Sequence, residues 1–390
     1  MLSRIVLAHN FYQQPGGEDE VFRAEAALLE AHGHGVIRYS LHNNDVPKLG
    51  RIALLKAVFW NSSVYREMGR LIRKESPQLV HFHNTFPLMS PAPYFAARKA
   101  GLPVVQTLHN YRLICPNGLL FRDSRPCELC VGKAVAWPGL IHSCYRESRT
   151  ATAVTAAMLT AHRVWGTWNR AVDTYIALTE FSRRKFIEGG LPADRVVVKP
   201  NFLFSDPGVG LHASEFALYV GRLTPEKGLN TVLRAWQQMR RTLHLKIVGD
   251  GPIARTSAQS SVNLEWLGHL PKERVLALMK EATFLLLPSE VYENFPVTLL
   301  EAFATGLPVI ASGHGALAEI VADGQTGRLF RPGDAMDLAS KIEWALEHRE
   351  ELSAMGRRAR DEFDAKYTQQ RNYDILSGIY RSACDRQQRG

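Results

Sequence analysis

Two glutamates in the segment SEVYENFPVTLLEAFATGLPVIAS, residues 289–312, are the side chains best placed to do chemistry. Glu293 precedes a predicted helix and Glu301 lies inside it, roughly 7 Å from its start at the rise of an α-helix. The free amides at a helix N-terminus attract phosphate, and a carboxylate facing that phosphate would repel it. We therefore expect Glu301 to bind ribose hydroxyls and Glu293 the hydroxyls of a second group on a diphosphate.

The limits of this helix are set by prolines and a glycine. Pro296 suits the first helical turn, whereas Gly306 followed by Pro308 is a typical stop. The pattern predicts a helix from about residue 296 to 305.

Two earlier loops supply cations and glycines. In GRLTPEKGLNTVLRAW, Arg222 follows a predicted strand and Lys227 precedes a predicted helix, a combination suited to binding a diphosphate. In LKIVGDGP, small residues at another strand end let a flat or anionic ligand approach the backbone. Those residues are Gly249, Asp250 and Gly251.

Short apolar runs alternate with helical patterns along the 390 residues, which predicts an α/β protein with two doubly wound parallel sheets. The runs are IVLAHN, GVIRYS, LVHFHN, PVVQTLHN, YIALT and VVVKPN, then FALYVGR, LKIVGDG, NLEWLG, TFLLLPS, LPVIAS and GRLF. We expect Rossmann-like domains at 1–203 and 215–366, a linker at 204–214, and a helical tail at 367–390 that returns to the first domain. Ligands of such sheets bind beyond the carboxyl ends of the strands, so a cleft between the domains is the expected site.

The ordered pieces GRLTPEKG, VGDGP, LLLPSE and EAFATGLPVIAS, with the two glutamates, resemble the donor-binding half of family-4 retaining glycosyltransferases of the GT-B fold, of the kind found in bacterial polysaccharide clusters. The resemblance covers roughly residues 216–335. It implies two Rossmann-like domains facing across a cleft and a nucleoside diphosphate sugar bound mainly by the second. The implied donor contacts are Arg222 and Lys227 for the diphosphate, Glu301 for the ribose, and Glu293, Asn294, Phe295 and Pro296 for the sugar.

The first half carries a glycine pair and three strand-end histidines. In QQPGGEDE, Gly16 and Gly17 fit an ordinary turn, but similar GG-x-E loops in the resembled family approach the donor phosphate and the acceptor, so we assign the pair to donor binding. His109 matches the family histidine that faces the donor sugar. His83 either contributes to the acceptor site or packs in the core, and His81 lies two residues before it.

The resembled family is thought to react without an enzyme nucleophile. The diphosphate departs and the acceptor attacks on the same face of the sugar, and a diphosphate oxygen takes the acceptor proton. Catalysis then consists of positioning and of stabilising charge on the leaving group. The expected catalytic residues are His109, Arg222, Lys227 and Glu293, and this chemistry requires no metal.

Four cysteines follow His109 closely in an insertion at about residues 113–147. A structural Zn²⁺, reduced free thiols and disulfides are the three interpretations, and the absence of an export signal disfavours the disulfides. The thiols concerned are Cys115, Cys127, Cys130 and Cys144.

The positive charge is concentrated in the first half: residues 1–200 carry a net charge of +10 and the remaining residues −1. This asymmetry indicates an anionic partner or simply a basic surface. The segments 51–74 and 148–170 combine basic and aromatic residues, as helices at an anionic membrane surface do, although core-facing helices show the same pattern. With no signal peptide and no apolar run of about 20 residues, we predict a cytoplasmic protein that contacts the membrane peripherally.

Two other functions fit parts of the pattern. A nucleotide-sugar epimerase of similar fold would use a sugar substrate without an acceptor. A nucleic-acid-binding protein would explain the basic first half, but it needs clustered cations interleaved with stacking aromatic residues, and it leaves the glutamate pair unexplained. The predicted function is therefore sugar transfer from a nucleotide donor to a glycan or lipid-linked acceptor, with no nucleic acid bound.

Overall fold

The computed structural model describes residues 2–14, 16–253 and 263–389, so Pro15 of the predicted glycine loop lies outside the described residues. The chain divides into two compact units. The first unit comprises Met1–Leu120, Glu128–Phe204 and Gln369–Gly390, and the second comprises Phe121–Cys127 and Ser205–Thr368.

The first unit is built on a sheet of six parallel strands. These strands are β1 (Arg4–Phe11), β2 (Gly35–His42), β3 (Leu79–Phe82), β4 (Val104–Thr107), β7 (Thr174–Ala177) and β8 (Val196–Val198). Their order is β2-β1-β3-β4-β7-β8, and every neighbouring pair is parallel. The six apolar runs predicted in the first half all form strands of this sheet.

The second unit contains an equivalent sheet with a different strand order. Its strands are β9 (Phe216–Val220), β10 (His244–Val248), β11 (Leu264–Gly268), β12 (Phe284–Leu287), β13 (Val309–Ser312) and β14 (Gly327–Phe330). They are parallel and lie in the order β11-β10-β9-β12-β13-β14. Each again corresponds to a predicted apolar run, so the fold prediction of two parallel α/β sheets is confirmed.

Helices connect these strands. They are α1 (Gly17–Ala31), α2 (Arg51–Phe59), α3 (Ser62–Glu75), α4 (Ala92–Lys99), α5 (Trp137–Ile141), α6 (Arg149–Val164), α7 (Thr167–Arg170), α8 (Glu180–Glu188), α9 (Leu229–Gln238), α10 (Lys272–Glu281), α11 (Val297–Thr305), α12 (Gly315–Ile320), α13 (Ala335–Glu347), α14 (Arg349–Lys366) and α15 (Gln369–Arg389). Short 3-10 turns lie at Asn43–Lys48, Ala193–Arg195 and Pro225–Lys227, and β5 (Phe121–Arg122) and β6 (Arg125–Pro126) form a small antiparallel hairpin.

Capping residues set several of these boundaries. The side chain of Asn61 accepts hydrogen bonds from the amides of Ser63 and Val64, so the basic segment 51–74 is two helices rather than one. Pro296 precedes the first residue of α11, and Gly306 ends it with φ +71°, the left-handed conformation that glycine adopts without strain. The predicted limits of this helix are therefore correct to within one residue.

The last helix completes the core of the first unit. Leu376, Tyr380 and Ala383 of α15 are buried in one apolar cluster with Ile5 and Leu7 of β1. The segment expected to return to the first domain thus supplies part of its hydrophobic core. None of the described helices combines the length and the apolar character that a bilayer crossing requires.

Candidate active site

The candidate site of the second unit lies where its strand order reverses, at the carboxyl ends of the neighbouring strands β9 and β12. Open parallel sheets bind their ligands at such a point because the helices that follow the two strands pack on opposite faces and leave a crevice. The loop after β9 carries Arg222 and Lys227, and the loop after β12 carries Glu293. The backbone amide of Glu290 donates to the carbonyl of Glu226 at 2.9 Å, which ties the two loops together.

Glycines allow these loops to approach each other closely. Gly228 has φ +73°, and a Cβ atom there would overlap the carbonyl oxygen of Pro288. A Cβ at Gly249 would likewise overlap the carbonyl of Gly221, and one at Gly251 would press on Leu223. The glycines predicted to admit a ligand therefore first serve contacts between backbone segments, while the Asp250 side chain is exposed beside them.

Lys227 and Glu293 form the central ion pair of the site. The Lys227 Nζ lies 2.6 Å from Glu293 Oε1, and the Ser289 hydroxyl donates to the same oxygen at 2.6 Å. Burial alone would raise the pKa of Glu293, but the Lys227 ammonium, the Ser289 hydroxyl and the Arg222 charge outweigh it and hold this pKa below its usual value. Glu293 is consequently an ionised hydrogen-bond acceptor.

Arg222 offers a second cation beside this pair. Its guanidinium is exposed and makes no ion pair with any residue that the structure describes. An arginine fork that is not already engaged can bind two oxygens of a phosphate group at once. The arrangement thus contains one paired cation and one available cation at the same edge of the sheet.

The start of α11 offers further polar groups. Pro296 at the N-cap provides no side-chain acceptor for the amides of the first helical turn. The Asn294 side chain is buried, and its Oδ1 has no hydrogen-bond partner within the described part of the chain. Phe295 is buried against Tyr367, with ring centroids 5.5 Å apart, and this contact fixes the loop before the helix.

Glu301 has a neighbour that the sequence did not reveal. Its side chain is 9% exposed, and Oε1 lies 3.2 Å from the Nζ of Lys272, the first residue of α10. The carboxylate expected to bind ribose is therefore balanced by a half-exposed lysine in this structure. Ser289 and Lys272 are the two polar contacts that the sequence reasoning missed. Ser289 lies in the motif LLLPSE, but nothing in the sequence indicated its role.

The three strand-end histidines of the first unit, His81, His83 and His109, belong to a buried polar cluster. His83 Nδ1 lies 2.9 Å from His109 Nε2, and His83 Nε2 lies 3.2 Å from Glu25 Oε1. The second Glu25 oxygen is 3.0 Å from the Nζ of Lys199, and His81 is 3.0 Å from Glu25 through Nδ1. All five side chains are at least nine-tenths buried.

The glycine loop of the first unit is held by a second buried pair. Asp19 accepts a hydrogen bond from the Gly16 amide at 3.1 Å and contacts His9 Nε2 at 2.7 Å. A Cβ added at Gly16 would meet no heavy atom of the described residues within 4 Å, and Gly17 is the first residue of α1 and exposed. The loop thus has open space on the side to which a side chain at residue 16 would point.

A carboxyl group lies next to this loop. Asn110 donates to Glu18 Oε1 at 3.0 Å and to the Tyr12 hydroxyl oxygen at 3.2 Å. Burial raises the pKa of Glu18, and burial together with the Glu18 charge raises the pKa of Tyr12. Glu18 directly follows the glycine pair, at the variable position of the GG-x-E pattern, and Asp19 occupies the position of the pattern's glutamate. No role for Glu18 was predicted from the sequence.

None of the cysteines is joined to another by a disulfide within the described residues. Cys115 and Cys130 are buried, whereas Cys127 and Cys144 are partly exposed. Among the described residues, a set of three side chains close enough to share a metal ion occurs at Glu25, His81 and His83, and no such set includes a cysteine. A zinc ion bound by the four thiols stays a prediction.

Family models match most of the chain. Residues 14–201 match the model described as Glycosyl transferase 4-like domain, and residues 209–362 match Glycosyl transferases group 1.

Curated relatives are also glycosyltransferases. A glycogen synthase of Mycobacterium tuberculosis is 33% identical over 175 residues, which are 43% of this chain and 42% of that protein. The putative colanic acid biosynthesis glycosyltransferase WcaL of Salmonella typhimurium is 31% identical over 166 residues, 39% and 41% of the two chains. An alpha-D-kanosaminyltransferase of Streptomyces kanamyceticus is 27% identical over 336 residues, 82% and 80% of the two chains. The chain spans less than half the length of the first two relatives.

Solved structures share the fold over nearly the full length. HepE of Anabaena in complex with UDP aligns with a TM-score of 0.67 and 18% identity, covering 96% of this chain and 99% of that one. Sucrose-phosphate synthase of Thermosynechococcus elongatus aligns with a TM-score of 0.72 and 17% identity, covering 97% and 98%. Both parts of the chain are thus matched by domains of transferase enzymes.

Proposed function

Because the chain consists of a glycosyltransferase 4-like domain and a glycosyltransferase group 1 domain in the GT-B fold, we propose that it transfers a sugar from a nucleoside diphosphate sugar to a glycan or lipid-linked acceptor, with retention of configuration. The bond from the anomeric carbon to the diphosphate oxygen breaks, and a bond from that carbon to the acceptor oxygen forms on the same face. The acceptor proton passes to the departing diphosphate.

One observation carries this proposal: Lys227, Glu293 and Arg222 meet at the reversal point of the second sheet. A diphosphate bound there is contacted by the available Arg222 guanidinium and draws the Lys227 ammonium away from Glu293. The carboxylate of Glu293 is then free to accept hydrogen bonds from sugar hydroxyls. Charge on the leaving group is stabilised by both cations, a contribution worth about two decades of rate for each contact removed.

The same proposal assigns the remaining donor contacts. Glu301 accepts hydrogen bonds from the ribose hydroxyls, which compete with the Lys272 ammonium for its carboxylate. The amides of Asn294 and Phe295 face the sugar, and Gly249, Asp250 and Gly251 line the approach. We propose UDP as the first nucleotide to test, because HepE was solved with UDP, and cell-surface polysaccharide synthesis as the context, because WcaL is named for colanic acid biosynthesis.

The acceptor side is proposed to meet an anionic membrane. Helices α2 and α6 contact each other where His162 Nε2 meets the carbonyl of Phe59 at 2.8 Å. Large apolar side chains are exposed on both: Ile52 of α2 is 72% exposed, and Trp165, the residue that follows α6, is 56% exposed. Basic residues of the same helices, including Arg51 and Lys56, are exposed as well. Apolar and cationic side chains together favour a lipid surface with negative headgroups.

Thermal unfolding with a panel of UDP-, GDP-, ADP- and dTDP-sugars tests the donor site. One nucleotide series should raise the melting temperature of the wild type and of Arg241→Ala, an exposed arginine of the same unit that is paired with Glu347. The stabilisation should be lost in Arg222→Ala and in Glu301→Ala. If no nucleotide sugar stabilises the wild type, the proposed donor site is wrong.

Vesicle co-sedimentation tests the membrane surface separately. Binding to vesicles that contain phosphatidylglycerol, and not to pure phosphatidylcholine, is expected for the wild type and for Leu211→Ser, which removes a 93% exposed leucine of the second unit. Ile52→Ser and Trp165→Ser should reduce binding while leaving donor stabilisation intact. Unchanged sedimentation of these two variants would refute the proposed surface.

A further inference from the structure

Five buried ionisable side chains of the first unit form a connected cluster. They come from distant parts of the chain: Glu25 from α1, His81 from β3, His83 from the residue after β3, His109 from the loop after β4, and Lys199 from the residue after β8. Each is 9% exposed or less. Burying so many ionisable groups carries a large unfavourable free energy of desolvation, so we expect a function that requires their arrangement.

The cluster already contains its own cation. Glu25, His81 and His83 are close enough to bind a metal ion together. However, the Lys199 ammonium lies 3.0 Å from Glu25 Oε2, and both nitrogens of His81 are engaged, with the Tyr380 hydroxyl and the Thr107 hydroxyl at 2.8 Å each. A second cation would have to displace a buried lysine, so we interpret the cluster as an organised polar network.

The proton positions along the network follow from Glu25. Burial would raise the pKa of Glu25, but Lys199, His81 and His83 hold it well below its usual value, so the carboxylate only accepts. At 3.2 Å, His83 Nε2 is not well aligned for a hydrogen bond to Glu25. A lone pair on that nitrogen would nevertheless repel the carboxylate, which places the proton of His83 on Nε2.

The contact between His83 and His109 then determines which nitrogen of His109 carries the proton. Burial lowers the pKa of His83 to about 4, against the pull of Glu25, so the ring is neutral and its Nδ1 is an acceptor. His109 Nε2, 2.9 Å away, must therefore donate. Burial and the neighbouring His83 also hold the pKa of His109 well below its usual value, which leaves His109 Nδ1 without a proton.

We propose that Glu25, Lys199 and His83 are positioning residues that hold His109 in its Nε2–H form, so that His109 Nδ1 accepts a hydrogen bond from a hydroxyl of the bound sugar. This rests on the proposed function and on the expectation from the sequence resemblance that His109 faces the donor sugar. No described residue bonds to this nitrogen. The substrate class follows: a neutral sugar with a hydroxyl at that point is accepted, whereas a sugar acid presents a carboxylate to a lone pair and is disfavoured.

Nitrogen-15 NMR of histidine-labelled protein tests the proton assignment without any ligand. The His109 resonances are identified by their loss in His109→Gln. The wild type should show a protonated Nε2 and a bare Nδ1 at neutral pH. His83→Leu should release this preference, whereas His83→Asn, whose amide oxygen can take the place of Nδ1 as acceptor, should restore it.

Control variants separate the network from general damage. His34→Leu removes another buried histidine of the same unit, one that contacts the Leu2 carbonyl and the Tyr373 hydroxyl, and should leave the His109 signals unchanged. Glu25→Gln should mix the two His109 forms, because an amide can present either a donor or an acceptor to His83. A protonated Nδ1 in the wild type, or His109 signals that are identical in wild type and His83→Leu, would overturn the proposal.

Donor discrimination provides the functional test. The wild type should use or bind UDP-glucose at least tenfold better than UDP-glucuronate, and this ratio should shrink in His83→Leu and recover in His83→Asn. Equal use of the two donors by the wild type overturns the proposal while the proposed glycosyltransferase function stands. If no nucleotide sugar raises the melting temperature, the proposed function is wrong, and so is the contact between His109 and a donor sugar. The NMR measurement then decides separately whether Glu25, Lys199 and His83 hold His109 in its Nε2–H form.

Discussion

The two units share an architecture of six parallel strands but use the strand ends in opposite ways. In the first unit, the ionisable cluster at the strand ends is shielded from water: the side chains of Lys199 and Glu25, which form an ion pair, are 1% and 0% exposed. In the second unit the corresponding pair, Lys227–Glu293, is 22% and 14% exposed, with Arg222 available beside it. A lysine–glutamate pair can thus belong to the folded core or to a ligand site, depending on its access to water.

The largest expected effect separates these two pairs directly. Lys199→Met leaves a buried glutamate without its cation and should cost about 3–5 kcal/mol of unfolding free energy. Lys227→Met should cost about 1 kcal/mol, because Glu293 keeps Ser289 and its partial hydration. Urea unfolding measures both values.

For donor binding, the order of the two variants should be reversed: Lys227→Met should have the larger effect. Lys227→Met should lose at least tenfold in UDP affinity by calorimetry, whereas Lys199→Met, at a temperature where it is folded, should keep it. Similar stability losses in the two variants would erase the distinction between a core pair and a site pair.

The acid response of the first unit is the next largest effect. The pKa of His83 is about 4 in the folded chain against a usual 6.5, so the unfolded chain takes up a proton that the folded chain refuses between these values. Stability should therefore fall as the pH is lowered from about 6.5 to about 4, by on the order of 3 kcal/mol. Glu25, whose pKa is lowered, adds to the loss below its usual value of 4.5.

Comparison with His83→Asn isolates this contribution. The charges that act most strongly on His83 are those of Glu25, His81 and His9, and His109 lies in direct contact with it. All four residues remain in the variant. Urea unfolding across this pH range should give a steeper loss for the wild type than for His83→Asn. Parallel curves would show that His83 does not titrate as proposed.

Two glycines that follow the first strand of each unit should differ more modestly. Gly228→Ala forces a Cβ onto the Pro288 carbonyl at a positive φ and should cost about 1–3 kcal/mol. Gly16→Ala has extended backbone and open space and should stay within about 0.5 kcal/mol. Differential scanning calorimetry compares the two, and a large loss for Gly16→Ala would reveal a packing role that the geometry does not show.

The smallest effect concerns Glu301. Lys272→Met removes the cation that competes with ribose for Glu301, so it should raise the affinity for UDP severalfold. The gain in binding free energy should stay below about 1 kcal/mol, because the lysine is half exposed and its ion pair is therefore weak. Lys280→Met, at the other end of the same helix, is the matched control. Unchanged affinity in Lys272→Met would mean that Glu301 does not bind the nucleotide.

The sequence predicted the parts of this structure that local patterns encode. All twelve sheet strands follow from apolar runs, and α11 follows from Pro296 and Gly306, because these signals lie within a few residues of the structure they determine. The contact of Glu25 with Lys199 joins residues far apart in the chain, and that of Glu301 with Lys272 joins two helices. Neither leaves a local signal, so the sequence placed Glu301 inside the helix that begins after Pro296 but did not predict the lysine that balances its charge.

The place of α15 in the core of the first unit has a consequence for synthesis on the ribosome. Tyr380 contacts His81, and Asn372 lies 3.2 Å from the Lys199 ammonium. The N-terminal sheet leaves the ribosome long before this helix is translated, so its apolar face and its buried lysine remain incompletely covered during translation of the entire second unit. Nascent chains arrested before residue 369 should therefore bind chaperones and be cut by proteases within the first unit, and release of the helix should end both.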